Sequence, residues 1–158
     1  METGLLHLHN LLRWVVLVLL LLSIVKSYSG WKSGRTFADG DRKVWLFTMI
    51  SAHIMLLIGL YQWTLGRFGL FTYSNESFKA VMQNAGTRFF QVEHPVSMIL
   101  AIVFITLGYG KAKKDLPDAL KYRKAFFAFA VALLLIFLAV PWPFRGEAIG
   151  RPLFPGMH

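Results

Sequence analysis

The sequence predicts an all-α fold, an integral membrane four-helix bundle with both termini on the outer (periplasmic) side. Apolar residues make up 56% of the 158 residues and charged residues only 16%, whereas a soluble domain carries about a quarter charged residues. The charges are segregated from four long apolar segments, each near the roughly 20 residues that cross a bilayer. Lysine and arginine concentrate in two loops, a distribution that sets orientation in a membrane.

The four predicted membrane helices cover Leu5 to Ser27, Lys43 to Leu65, Arg88 to Tyr109, and Tyr122 to Val140. The first differs from a signal peptide because it has no basic n-region, is too long and lacks a small-residue cleavage site. We therefore expect it to be retained. With no internal repeat or domain boundary, residues 1–158 are predicted to form a single membrane domain.

Orientation follows from the loops between these segments. Residues 26–43 hold five Lys or Arg against two Asp, and residues 110–124 hold six against two Asp. By the positive-inside rule both basic loops are cytoplasmic, so both termini lie outside. The outer loop, residues 66–87, contains a predicted short surface helix capped by Ser74 or Asn75 and ended by Gly86. The Pro- and Gly-rich tail, residues 141–158, is predicted to lie along the outer surface.

The composition also excludes several classes of function. The formal net charge of +9 does not indicate a nucleic-acid partner, because the basic residues lie in loops between apolar segments. The absence of cysteine excludes disulfides, Cys-ligated iron–sulfur clusters, thiolate zinc sites and cysteine nucleophiles. Any metal must be held by His, Met, carboxylate or backbone groups.

Three of the five histidines are predicted to share one half of the membrane. At 1.5 Å per residue, His9 lies about 6 Å, His94 about 9 Å and His53 about 12 Å from the outer ends of their helices. The remaining two are His7, placed at the water interface, and His158 in the tail. A lone intramembrane histidine can simply hydrogen-bond a neighbour, but three at similar depth on three helices indicate a shared site.

Helical periodicity selects the side chains that face this site. Arg13 follows His9 by four residues and shares its face, and a buried arginine is expected to turn inward. Gln91 lies on the His94 face, together with small residues suited to a helix interface. His53 is a single polar group within an apolar wall.

Facing histidines on neighbouring helices can supply the two axial nitrogens of a haem. His53 and His94 are the predicted ligands, since their depths differ by only about 3 Å. Arg13 and His9 are placed to contact the anionic haem propionates. Because the inner half offers no histidine, the sequence predicts one haem b near the outer face, and an electron-transfer protein rather than a stand-alone enzyme.

Other interpretations remain open. Copper or zinc could be bound by the three histidines, and a quinone pocket could use His94, Gln91 and Arg13. A different class is a non-catalytic membrane subunit, or an assembly protein of a larger complex, in which buried polar groups only hold helices together.

The chain resembles a family of short bacterial four-helix membrane proteins labelled "cytochrome B". The resemblance is carried by "LLHLHNLLRWVVL", "DGDRKVWLFTMISAHIMLLIGL", "RFFQVEHPVSMILAIVFITLGYGKAKK" and "PWPFRG", which together cover most of the sequence. It implies a b-type haem in the bacterial cytoplasmic membrane and electron transfer. Our hypothesis from the residues is that this multi-pass protein passes electrons between quinol and another redox partner. It implies His53 and His94 as ligands, supported by His9 and Arg13.

Overall fold

The computed structural model describes residues 2–154, in which every regular element is a helix and there is no β-strand, confirming the all-α fold class for this part of the chain. Its α-helices are α1 (Glu2–Ser33), α2 (Asp39–Leu65), α3 (Phe78–Gln83), α4 (Ala85–Arg88), α5 (His94–Gly110) and α6 (Asp118–Ala139). A π-helical turn (Phe89–Glu93) joins α4 to α5, and 3₁₀ turns (Lys111–Lys113 and Pro143–Arg145) follow α5 and α6. Met1 and residues 155–158, which include His158 and the end of the predicted tail, lie outside the described residues.

Four helical segments are long and apolar enough to cross a membrane: Thr3–Ser33, Asp39–Leu65, Ala85–Lys113 and Asp118–Ala139. Their outward surfaces are apolar as well as their inward ones. Leu57, Val25 and Leu138 each expose more than half of their surface. A helix that is apolar all round belongs in a protein core or in lipid, so this surface suits a hydrocarbon environment.

The long helices pack in a closed order around one core. α1 packs against α2 and α6, and α5 packs against the same two helices. The side chains at the centre are fully buried, among them Leu20, Trp45, Ala101, Ile105, Tyr122 and Phe129. At Gly108 of α5 a side chain is excluded, because an added Cβ would lie 2.5 Å from the ring of Phe129 on α6. Glycine therefore sets how closely α5 and α6 approach.

The helices continue past the predicted membrane segments. α1 extends beyond the predicted end at Ser27 to Ser33, and α2 begins at Asp39 rather than Lys43. Hydropathy marks the part of a helix that crosses hydrocarbon, whereas the backbone pattern continues into polar flanks. α6 likewise begins at Asp118, ahead of the predicted Tyr122.

The surface helix predicted in the outer loop is present but shorter. The cap of α3 is Ser77, whose hydroxyl accepts from the backbone N–H of Ala80, rather than Ser74 or Asn75. Asn84, not Gly86, ends it and also caps α4, since its side chain accepts from the N–H of Thr87.

The π-helical turn before α5 has a local chemical cause. Pro95 has no N–H, so the carbonyl of Gln91, four residues earlier, loses its helical donor. Trp63 of α2 supplies a replacement by donating its Nε1–H to that oxygen at 2.8 Å. The backbone N–H of His94 instead reaches the carbonyl of Phe89, which is the π-helical spacing. This hydrogen bond from Trp63 therefore links the π-helical turn to α2 immediately beside His94.

Candidate functional site

The structure brings two of the three predicted histidines together. The rings of His9 on α1 and His94 on α5 lie 6.4 Å apart between centroids, although each helix packs mainly on α2 and α6. Gly59 of α2 lies beside this pair, because a Cβ added there would be 3.5 Å from Cε1 of His9. The two imidazoles therefore meet in the interior, with a glycine making room on α2.

His94 is held by the end of α6. Its Nδ1 lies 2.7 Å from the carbonyl oxygen of Ala139, the last residue of that helix. A carbonyl can only accept, so Nδ1 carries the proton and Nε2 keeps its lone pair. The residue that would normally donate to Ala139 in a continuing helix is Pro143, which has no N–H. The His94 side chain therefore caps α6 and is fixed in the tautomer that leaves Nε2 free to bind a metal.

Arg13 is a buried cation on the same helix face as His9. It is 6% exposed, and its Nη2 donates to the carbonyl of Leu153 at 2.6 Å. The same oxygen accepts from Nε1 of Trp14 at 3.0 Å, so the tail folds back onto α1 at this point. In the part of the chain described, no carboxylate pairs with Arg13. A buried charge without a counter-charge is costly, which makes this an attractive place for an anionic group.

Several polar atoms around the histidine pair are buried and unpaired. Among the described residues, Nδ1 of His9, Nε of Arg13, and Nε2 of Gln62 and of Gln91 have no hydrogen-bond partner. Gln62 lies one turn from Gly59 on α2, and Gln91 lies one turn before His94. Buried polar atoms in native proteins are nearly always satisfied, so this cluster indicates a ligand or ordered water. These residues, with His94, are called the outer polar cluster below.

His53 has its hydrogen-bond partner on its own helix. Its Nδ1 donates to the carbonyl of Met49 in the preceding turn of α2, at 2.8 Å. Its neighbours Ile54 and Leu57 are 46% and 69% exposed, which places His53 at the border of the outward, apolar surface. Within the described residues, ring contacts join His94 to His9 and to Phe89, and none involves His53.

The remaining predicted groups are placed as follows. Gln91 is buried, and His7 is exposed at the start of α1. Glu93 forms an ion pair with Arg88, with Oε1 and Nε 2.7 Å apart, on the surface rather than in the site. The described residues contain no group of three or more His, Cys, Asp or Glu side chains placed to hold a metal ion.

A second buried polar group, at the opposite end of the helices, was not predicted from the sequence. Asp41 on α2 is 1% exposed and accepts from Lys26 on α1 (2.9 Å) and from Tyr122 on α6 (2.5 Å). Arg35, in the loop between α1 and α2, adds two bonds of 2.6 and 3.0 Å. These hydrogen bonds raise the pKa of the Arg35 guanidinium, so its charge is permanent.

A signal for Asp41 exists in the sequence. It begins the series Asp41, Trp45, Thr48 and Ala52, whose spacing of four, three and four places all of them on one helix face. All four are buried. An acidic residue at the head of an inward face is expected to find a cationic partner there.

No protein-family model, curated protein or solved structure matches this chain.

Proposed function

We propose that this chain is a four-helix bundle of the bacterial cytoplasmic membrane that binds one b-type haem in its outer half and transfers electrons. Four apolar helices with apolar outward faces support the membrane placement. His9 and Leu153 lie at one end of the helices, while the loops rich in Lys and Arg lie at the other. By the positive-inside rule the basic end is cytoplasmic, and both termini are outside.

The observation that carries the haem proposal is the pairing of His9 with His94 beside an uncompensated buried arginine. Two imidazoles that hold one metal ion between them would have ring centroids roughly 6 Å apart, since each metal–nitrogen bond is about 2 Å. The observed separation is 6.4 Å. His94 offers a free Nε2, and His9 has an unpaired Nδ1. With these donor types and this spacing, His9 and His94 would be the residues that hold the haem iron.

The surrounding residues fit the rest of a haem. Arg13 would bind a propionate, because its Nε is unpaired and a guanidinium matches a carboxylate. Gln91 and Gln62 would donate hydrogen bonds to the bound group from their free amide nitrogens. A bound haem supplies one-electron chemistry, and a quinol or a redox protein is the proposed partner. His53 stays a predicted ligand, and that prediction depends only on its depth in the predicted membrane helix.

A structural subunit is the second candidate, favoured by specific bonds in the same cluster. His94 caps α6 through Ala139, and Arg13 anchors the tail through Leu153. In that case the polar groups hold helices together, and no chromophore is bound.

The His94→Asn variant separates the two candidates. An asparagine amide can still donate to the carbonyl of Ala139, but it is a poor ligand for haem iron. We expect purified His94→Asn protein to unfold near the wild-type temperature and to have lost its Soret band. His9→Asn should lose bound haem in the same way, whereas the exposed His7→Asn is the matched control and should keep it.

The measurements are absorption spectra and haem content of each variant, with thermal unfolding followed by circular dichroism in the same detergent. If His9→Asn and His94→Asn both had the haem content of the wild type, His9 and His94 would be ruled out as the haem ligands. If those two variants kept haem and His53→Asn lost it, His53 would be assigned as a haem ligand. A wild-type protein that folds without haem, and loses stability in His94→Ala but not His94→Asn, would favour the structural subunit.

A further inference from the structure

A groove runs between α5 and α6 at the basic end of the helices. Its volume is about 630 Å³, and its walls are almost wholly apolar. Phe104 and Leu107 of α5 face Phe127 and Val131 of α6 across it. Phe127 and Leu107 are each about half exposed, so the groove opens sideways, toward the surface that would contact lipid.

One end of the groove is strongly cationic. Lys111, just after α5, and Arg123 and Lys124, in the second turn of α6, line it beside the apolar walls. Across the described residues none of the three forms an ion pair with a carboxylate. Arg123 instead lies over the ring of Trp31, with 5.8 Å between its guanidinium carbon and the ring centroid.

Some of the other cations at this end are paired with carboxylates. Lys26 and Arg35 bind Asp41, and Lys43 binds Asp39. Four further cations at this end also lack a carboxylate partner among the described residues but do not line the groove: Lys32, Arg42, Lys113 and Lys114. Three uncompensated cations thus lie where the apolar groove begins. This combination is complementary to a molecule with an anionic head and an apolar body.

We infer that this groove binds an anionic phospholipid of the leaflet on the basic side. The phosphate lies against Lys111, Arg123 and Lys124, and an acyl chain lies between Leu107 and Phe127. A peptide or nucleic acid is a poorer match, because the apolar part of the groove faces sideways into the bilayer. Basic pockets between membrane helices on the cytoplasmic side are suited to such head groups. The inference rests on the proposed membrane placement but is independent of the haem.

The test compares two variants of the full-length protein, each with two neighbouring residues substituted. Arg123→Gln/Lys124→Gln removes two groove charges, while Arg42→Gln/Lys43→Gln removes two charges at the same end on α2. Native mass spectrometry in a mild detergent measures binding of phosphatidylglycerol and of phosphatidylcholine with the same acyl chains. Because a cation near a membrane surface strengthens anionic lipid binding about fivefold, two together give about thirtyfold.

We expect phosphatidylglycerol to bind wild type at least about tenfold more tightly than phosphatidylcholine. The affinity for phosphatidylglycerol should be about thirtyfold lower in the groove variant than in wild type, and less than about twofold lower in the α2 variant. Equal losses in both variants, or no preference for phosphatidylglycerol in wild type, would overturn the inference.

Ala128→Trp tests the apolar part separately, because it fills the groove without changing charge. It should weaken binding of both lipids, and unchanged binding would also overturn the inference. Haem content, measured on the same samples, keeps this test distinct from the haem proposal: the groove variants should retain haem, and His94→Asn should retain phosphatidylglycerol.

Discussion

Replacing Asp41 by alanine should destabilise the protein far more than the same change at Asp39, two residues earlier. Asp41 is 1% exposed and accepts four hydrogen bonds from three side chains. Asp39 is about two-thirds exposed and only pairs with Lys43 along the helix surface. The two substitutions remove the same charge from the same end of α2, so their difference isolates the effect of burial.

The expected magnitude follows from what Asp41→Ala leaves behind. The Tyr122 hydroxyl stays buried and loses its best acceptor, which costs about 1–3 kcal/mol. Lys26 and Arg35 have side chains 39% and 36% exposed, so they turn to water and lose only about 0.5–1 kcal/mol each. We therefore expect a total loss of roughly 2–5 kcal/mol. For Asp39→Ala we expect no measurable change.

The assay is the free energy of unfolding in mixed micelles titrated with a denaturing detergent, followed by tryptophan fluorescence. Asp41→Asn keeps the shape and one acceptor oxygen, and should fall between wild type and Asp41→Ala. Equal stability of Asp41→Ala and Asp39→Ala would contradict this prediction, because it would mean that the buried bonds add nothing beyond surface charge.

Two further predictions concern helix contacts. Gly108→Ala places a Cβ 2.5 Å from a facing phenylalanine ring and should cost about 1–3 kcal/mol, whereas Gly110→Ala, with nothing within 4 Å, should be neutral or slightly stabilising in the same unfolding assay. Trp63→Phe removes the donor to the Gln91 carbonyl and should lower stability by about 1 kcal/mol, measured by thermal unfolding; an unchanged midpoint would contradict the role assigned to that bond.

The fold class was predictable because apolar segments of membrane length are separated by charged loops. The helix ends were not, since hydropathy does not report where the backbone pattern stops. α1, for example, continues through Lys26 and Lys32 to Ser33. Its continuation places Gly30 directly against the ring of Tyr122, a contact that only packing can establish.

The depth of the site residues in the membrane was predictable from the sequence, but the directions in which their side chains point were not. Rise per residue places His9, His53 and His94 at similar levels, but it does not say which of them face one another. The π-helical turn before His94 changes the helical phase between Gln91 and the rest of α5, and its cause includes a bond from another helix. Pairing His94 with His9 rather than with His53 therefore depends on tertiary contacts.

The most direct measurement of the central proposal is the haem content of wild-type protein purified in a mild detergent after expression with ample haem. It should be read together with spectra of the oxidised and dithionite-reduced forms. We expect one haem per chain, with a Soret band and sharp reduced α and β bands typical of two histidine ligands. A folded protein without visible absorption under these conditions would contradict it and leave the outer polar cluster with a purely structural role.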